Sequence, residues 1–140
     1  MTYSRRDLSL LLPALVTAKT ASATSALPSK ALRFEDLPVR ANGENKTRAV
    51  LNGENHSGFA IEVHETELAP GKAPHPPHHH VKEEMVLVRE GTLEVTISGR
   101  ATTIGPGSVA YVASGEEHGW RNVGDTHAHY FVIALGRENS

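Results

Sequence analysis

Turn-forming residues interrupt the chain at short intervals from about residue 52 onward, and this spacing constrains the fold more than any other feature. Gly- or Pro-containing turns stand at 52–55, 70–71, 90–91, 98–99, 105–107, 114–115 and 124–125. The segments between them carry strand-like sequence, and Leu93–Ile97 alternates cleanly between apolar and polar side chains. No segment after residue 23 has a convincing helical period. Short strands at regular turn spacing predict an antiparallel β-sandwich or barrel.

The predicted strands fill the intervals between these turns. They cover residues 48–51, 59–68, 84–89, 93–97, 108–112, 118–123 and 127–135, and residues 72–79 form a loop interrupted by prolines. In the strand at 59–68, alternation places Phe59, Ile61 and Val63 on one face. Ser98-Gly99 is expected to close a tight hairpin.

The first 23 residues have the pattern of an export signal. Arginines at positions 5 and 6 supply a charged n-region, residues 8–16 form a short apolar run, and residues 21–23 are a small-residue cleavage site. The apolar run is far shorter than the roughly 20 residues that span a bilayer. An ordinary buried helix is the alternative, but the small and polar residues that follow show no amphipathic period.

The segment Ser4–Leu8 resembles a twin-arginine signal, and Lys19 adds a charge that is common in such signals. We therefore expect an exported protein, periplasmic or extracellular, that is not membrane-bound once the signal is removed. Residues 24–42 are rich in Ala, Ser, Thr and Pro and are expected to form a linker or N-terminal arm. Residues 43–140 are then expected to form one barrel domain.

Charge and cysteine content exclude several classes of protein. The 140-residue chain has a formal net charge of −2 and contains no cysteine. No basic patch suited to nucleic acid is present. Disulfides, thiolate nucleophiles and thiolate metal sites are all excluded. An exported chain without disulfides must gain its stability from its core, from a bound metal or from a partner subunit.

Evenly spaced histidines and a glutamate stand at the start of one predicted strand. Because alternate side chains of a strand share a face, a strand that begins near His78 would point His78, His80 and Glu84 to the same side. His79 and Glu83 would then point away. Taken alone, a run of three histidines in a Pro-rich loop could also be merely solvated.

A hairpin neighbour could bring His118 opposite these three side chains. Three imidazoles and one carboxylate suit one divalent transition metal. An octahedral ion held by four protein ligands keeps two open positions, which can accept water, dioxygen or an oxygen-bearing substrate.

The two segments that carry these residues resemble the two motifs of the cupin superfamily. The first motif is matched by His78-x-His80-x3-Glu84-x6-Gly91, and the second by Gly107, Gly115, His118 and Asn122. The match departs in two places, since Gly71 precedes His78 by one residue too many and Ala113 stands where the family has proline. The resemblance spans roughly residues 58–135. It implies a single-domain double-stranded β-helix, the all-β cupin or jelly-roll barrel, with His78, His80, Glu84 and His118 as metal ligands. It also implies a homodimer.

The resemblance leaves three functions open for this metal site. A dioxygenase-type oxidoreductase that acts on a small oxygen-bearing substrate is the first expectation. A lyase or isomerase that uses the metal as a Lewis acid is the second, and a non-catalytic protein that binds a metal or a carbohydrate is the third. By intrinsic affinity Cu and Zn would outcompete Mn and Fe, and Ni would also suit the site. Folding around the metal before twin-arginine export would favour Mn or Fe.

Several residues outside the ligand set are candidates for the site. His129 and His127 share a face of the last predicted strand. One of them, His129 first, could line the cavity as an acid–base group, and the alternative for either residue is a satisfied or half-exposed strand histidine. Trp120 could cover a substrate pocket or belong to the core. His75 is expected near the mouth of the cavity, and His64 is expected at the surface.

Overall fold

A computed structural model of the protein describes residues 26–137, and the regular structure of these residues is almost entirely β-strand. The strands are β1 Val39–Asn42, β2 Asn45–Glu54, β3 Ala60–Leu68, β4 Glu83–Glu90, β5 Leu93–Ile97, β6 Arg100–Ile104, β7 Val109–Val112, β8 His118–Asn122 and β9 Ala128–Leu135. The predicted export signal at 1–23 lies outside the described residues. Within residues 26–137, no helix is both long and apolar enough to cross a membrane.

The strands form two antiparallel sheets that face each other. The larger sheet has the order β1-β2-β3-β9-β4-β7, and the smaller one has the order β6-β5-β8. Their inner faces share one apolar core of Leu68, Val86, Val88, Leu93, Val95, Trp120, Ala128, Tyr130 and Val132. This arrangement confirms the predicted all-β, single-domain jelly-roll barrel.

The strands differ from the expected ones in several places. The strand β6 was not predicted, and β2 begins at Asn45 instead of residue 48. Residues 39–42 of the expected arm form β1, which pairs with β2. The strand β2 continues through Glu54, into the turn expected at 52–55. The strand β4 begins only at Glu83, so His78 and His80 belong to the preceding loop. Pro76 and Pro77 lack the N–H that a sheet ladder needs, which explains why no regular strand forms there.

Alternation decides which side chains enter the barrel. In β9 every second residue is buried, beginning with Ala128 and Tyr130. The register of β3 against β9 places Thr66 beside Tyr130 and His64 beside Val132, so these β3 residues share the inner face. The Phe59 side of β3 is therefore the outer face, and Phe59 itself is exposed.

Gly91 ends the first motif for a steric reason. Its φ is +81°, a region that favours glycine, and an added Cβ would lie 2.7 Å from the Ala128 Cα. Both the turn and the close approach of β9 therefore require a residue without a side chain. At the hairpin between β5 and β6, Ser98 and Gly99 both have positive φ, which confirms the tight turn expected there.

The N-terminal arm is held on the outer face of the larger sheet. The ring of Phe34 lies between two guanidinium groups, 4.4 Å from the Arg48 Cζ and 5.1 Å from the Arg89 Cζ. Beneath them lies Glu65, whose side chain is fully buried and accepts a hydrogen bond from Arg48 at 3.0 Å. His129 Nδ1 lies 3.3 Å from the other oxygen of Glu65. A buried ionic cluster therefore anchors the arm to the barrel.

Candidate metal centre

Backbone hydrogen bonds bring the Pro-rich loop against β8. The His78 N–H donates to the His118 carbonyl at 3.0 Å, and the His118 N–H donates back to the His78 carbonyl at 2.8 Å. The Gly115 N–H donates to the carbonyl of His80 at 2.9 Å. The loop thus acts as a short extra strand beside β8. Glu84, on the inner face of β4, completes the group of four expected residues.

Three imidazoles converge inside the barrel, and the Glu84 carboxylate contacts two of them. One ring nitrogen from each of His78, His80 and His118 lies within 4.8 Å of the others, a grouping that could hold a metal ion. The Glu84 carboxylate lies between two of these rings. Its Oε1 is 3.3 Å from His80 Nε2, and its Oε2 is 3.3 Å from His118 Nε2. The structure therefore brings together all four residues that the sequence predicted as ligands.

The other ring nitrogen of each histidine lies close to a backbone carbonyl. The Nδ1-to-oxygen distances are 2.8 Å from His80 to Lys82, 2.9 Å from His118 to Glu116 and 3.3 Å from His78 to Pro76. Because a carbonyl only accepts, these contacts place the ring proton on Nδ1. The Nε2 lone pairs are then left for a metal, an arrangement typical of metal-binding histidines.

Two buried atoms of this group have no hydrogen-bond partner. They are Glu84 Oε2 and His118 Nε2, which face each other. An ionised carboxylate and an imidazole lone pair are both acceptors, so their approach is unfavourable unless a cation lies between them. Two ligands about 2.1 Å from one ion and at right angles to each other would lie roughly 3.0 Å apart. The observed 3.3 Å separations fit such an ion.

A cavity of about 230 Å³ opens next to these side chains. Glu84 lies at its wall, together with Thr47, His64, Thr66, Pro74, His75, Trp120, Tyr130 and Val132. Trp120 belongs to the core and also lines the cavity. Its ring stacks on His118 at a centroid distance of 5.9 Å, and its Nε1 donates to Tyr130 Oη at 2.9 Å. Burial raises the pKa of Tyr130 to about 12, so its hydroxyl stays protonated at neutral pH.

His129 does not line this cavity. Alternation along β9 points its side chain to the outer face, where it contacts Glu65 in the cluster beneath Phe34. His127, which the sequence analysis placed on the same strand face, is exposed. The expected position of His129 at the cavity is therefore wrong, because the inner face of β9 belongs to the even-numbered residues such as Tyr130.

His64 lines the cavity, although the sequence analysis placed it at the surface. Burial lowers the pKa of its imidazole below the ordinary value, against the opposing effect of the carboxylates of Glu62 and Glu84. The sequence contained a pattern that could have predicted the inward position of His64. His64 lies four residues before Leu68 and two before Thr66, on the face that the barrel buries.

Asn122, the last residue of the second motif, has a structural role. Its fully buried side-chain amide donates to the carbonyls of Leu68 at 2.9 Å and Thr126 at 2.7 Å, and its Oδ1 accepts from the Gly124 N–H. These bonds fix the end of β8 against β3 and against the turn before β9. The asparagine thereby sets the position of the strand that carries His118 and Trp120.

The fold is a small jelly-roll barrel, and three histidines and a carboxylate lie close together in its interior. Barrels of this class could bind a metal ion there. The family model described as "Cupin domain" matches residues 64–134, and the chain belongs to the cupin family. No curated protein matches the sequence significantly.

Solved structures from several organisms share this fold. A predicted oxalate decarboxylase from Thermotoga maritima is 20% identical, with 77% of this chain and 100% of that chain covered and a TM-score of 0.69. KdgF from Halomonas sp. is 13% identical, with 80% and 97% covered and a TM-score of 0.68. The polyketide cyclase RemF from Streptomyces resistomycificus is 22% identical, with 81% and 83% covered and a TM-score of 0.66. At these identities the likeness shows a common fold.

Proposed function

We propose that the protein is a metal-dependent enzyme that acts on a small oxygen-bearing molecule bound in the barrel. The observation that carries this proposal is the pair of buried, unpartnered acceptor atoms of Glu84 and His118, which face each other beside a cavity. His78, His80, Glu84 and His118 would hold one divalent ion, with Mn or Fe favoured and Ni, Zn or Cu also suited to the donors. The bound ion would supply Lewis acidity or oxygen activation.

A dioxygenase-type oxidoreductase is the first candidate reaction class. Four protein ligands leave two positions of an octahedral ion open, and the cavity next to Glu84 gives a small molecule room to reach them. The cavity volume of about 230 Å³ lies below the range of drug-sized pockets, which suits a small substrate.

A lyase or isomerase is the second candidate, and His64 favours it. Such reactions move protons, and His64 is a cavity residue outside the ligand set that can accept one. Two proteins with the same fold carry names of this kind, a polyketide cyclase and a predicted oxalate decarboxylase. A protein that only binds a metal or a carbohydrate gains less support, because a candidate acid–base group is present.

Metal analysis combined with oxygen uptake tests the proposal. We expect about one transition-metal ion per chain in protein purified from its native compartment. We expect oxygen consumption when the Fe- or Mn-loaded protein meets a phenolic, enolic or diketone substrate. Turnover without oxygen consumption would select the Lewis-acid reaction class. Protein that binds no divalent ion in any preparation would contradict the proposal.

We also propose that the protein is exported, as the arginine pair at positions 5 and 6 and the following apolar run suggest. Cell fractionation tests this directly. Protein found only in the cytoplasm, with residues 1–23 intact, would contradict it.

A homodimer is proposed from the outer face of the larger sheet. Cross-strand pairing aligns Tyr111 with Met85 and Ile133, and Val109 with Leu87, on the outer face. Tyr111 and Val109 are both more than half exposed, so this row presents apolar surface to the solvent. We expect light scattering to give twice the mass of one chain, and Tyr111→Glu to reduce it to one. Val123→Glu, at another exposed apolar side chain, should leave the mass unchanged. A wild-type protein that is monomeric at high concentration would contradict the dimer.

A further inference from the structure

His64 stands where the cavity meets a wider groove. This groove of about 650 Å³ lies along the inner side of β1 and β2, and it shares Thr47 and His64 with the cavity that contains Glu84. Arg40 and Asn52 also line it. A molecule that enters from the groove therefore passes His64 before it reaches the four converging side chains.

The Glu62 carboxylate lies beside the His64 imidazole and influences which ring nitrogen carries the proton. Its Oε1 lies 3.6 Å from His64 Nδ1, and its Oε2 lies 3.6 Å from the Lys82 ammonium. The carboxylate favours a proton on Nδ1, which leaves the Nε2 lone pair to accept a second one. The other charged or titratable groups that line the cavity or the groove with His64 are Glu84 on β4, Tyr130 on β9, His75 in the Pro-rich loop and Arg40 in the groove.

From this placement we infer that His64 accepts the proton that a small acidic O–H compound loses when it binds in the cavity, and that Glu62 positions the imidazole for this transfer. The compound would be an enol, a phenol or a hydroxamic acid small enough for the cavity. The inference rests on the proposed function, because the resulting oxyanion needs a cation at the four converging side chains.

The transfer balances within the site. The O–H bond of the ligand breaks and its electron pair stays on oxygen, while a new N–H bond forms at His64 Nε2. The imidazolium that results lies next to Glu62, which offsets its positive charge. Burial lowers the pKa of His64, so the ring is neutral at pH 7 before the ligand arrives. That burial also disfavours the imidazolium, and the charges of Glu62 and of the new oxyanion oppose this effect once the proton is on the ring.

Calorimetry can follow this proton without a known substrate. We would titrate the Zn(II)-loaded protein with acetohydroxamic acid at pH 7 in two buffers that differ in ionisation enthalpy, which reports the number of protons released to the solvent. The wild-type protein should release close to none, because His64 keeps the proton. His64→Gln should release close to one. His56→Gln, at an exposed histidine beyond the end of β2, should behave as the wild type does.

The outcomes separate this inference from the proposed function. A wild-type protein that holds no divalent ion, Zn(II) included, would overturn both. A loaded protein that does not bind the probe would overturn this inference alone. A loaded wild-type protein that releases a full proton would overturn the role of His64 alone, and so would a His64→Gln variant that releases none. If His64→Gln does not fold, ¹⁵N spectra of the wild type still decide the question. The His64 ring should change from neutral to imidazolium when the probe is added, and an unchanged ring would contradict the inference.

Discussion

Replacing His118 with alanine should abolish stoichiometric metal binding and the thermal stabilisation that a bound ion provides. His118 is almost fully buried, and its Nε2 faces Glu84 without another partner. An ion present at 100 times its dissociation constant stabilises the folded wild type by about 2.7 kcal/mol, or roughly 10 °C for a domain of this size. Metal content by mass spectrometry and melting temperature with and without Mn(II) or Zn(II) measure both effects.

His79→Ala is the matched control for this substitution. His79 belongs to the same run of three histidines, but its side chain is exposed and lies outside the converging group. We expect one ion per chain and the full rise in melting temperature for this variant. Equal loss of metal in both variants would mean that the histidine run binds ions as a flexible tract, and the barrel site would then be refuted.

Replacing Glu65 with alanine should destabilise the fold by about 3 kcal/mol, the lower end of the range for a broken buried ion pair, because Arg48 keeps only the longer contact to Glu67 at 3.5 Å. The second consequence concerns the arm, since Phe34 packs on Arg48 and on Arg89, and both of these arginines face Glu65. Trypsin should then cleave faster after Arg33, next to the released Phe34. Chemical denaturation and timed proteolysis measure the two effects.

Glu94→Ala serves as the comparison. Glu94 accepts a hydrogen bond from Arg121 at 2.9 Å, so the ion pair is as short as that of Glu65, but its arginine is exposed. Exposed pairs contribute about 0–1 kcal/mol, and we expect a loss in that range with no change in cleavage after Arg33. A similar loss in both variants would show that burial does not set the strength of the Glu65 cluster.

Sequence patterns predicted the parts of this structure that depend on local chemistry. Turn residues located most strands, and the ligand spacing identified the four side chains that converge. The alternation of side chains along a strand placed Glu84 correctly, because β4 is one continuous strand whose inner face Glu84 shares with the buried Val86 and Val88. The even spacing of residues 78, 80 and 84 also identified His78 and His80 as ligands, but that argument assumed that both histidines lie in a strand. Those residues lie in a loop that backbone hydrogen bonds hold beside β8.

The remaining errors concern residues whose facing cannot be read from the sequence of their own strand. Whether His64 or Val63 enters the barrel depends on how β3 pairs with β9, and both faces of β3 carry apolar residues. The outer face of the larger sheet is partly covered by the arm, so apolar side chains there do not mark the core. His129 was misplaced for the same reason. Only the fold shows that it faces Glu65, 64 residues away in sequence.

The two backbone hydrogen bonds between His78 and His118 join positions forty residues apart in the chain. Closing a loop of this length costs an unfolded chain about 4 kcal/mol in conformational entropy. In the folded chain the hydrogen bonds of the barrel close that loop, so an unfolded chain with the same four ligands should bind an ion roughly a thousandfold more weakly. Ion occupancy therefore distinguishes folded from unfolded chains. A substitution anywhere in the barrel that opens this bridge should reveal itself as metal loss, even when all four ligands remain.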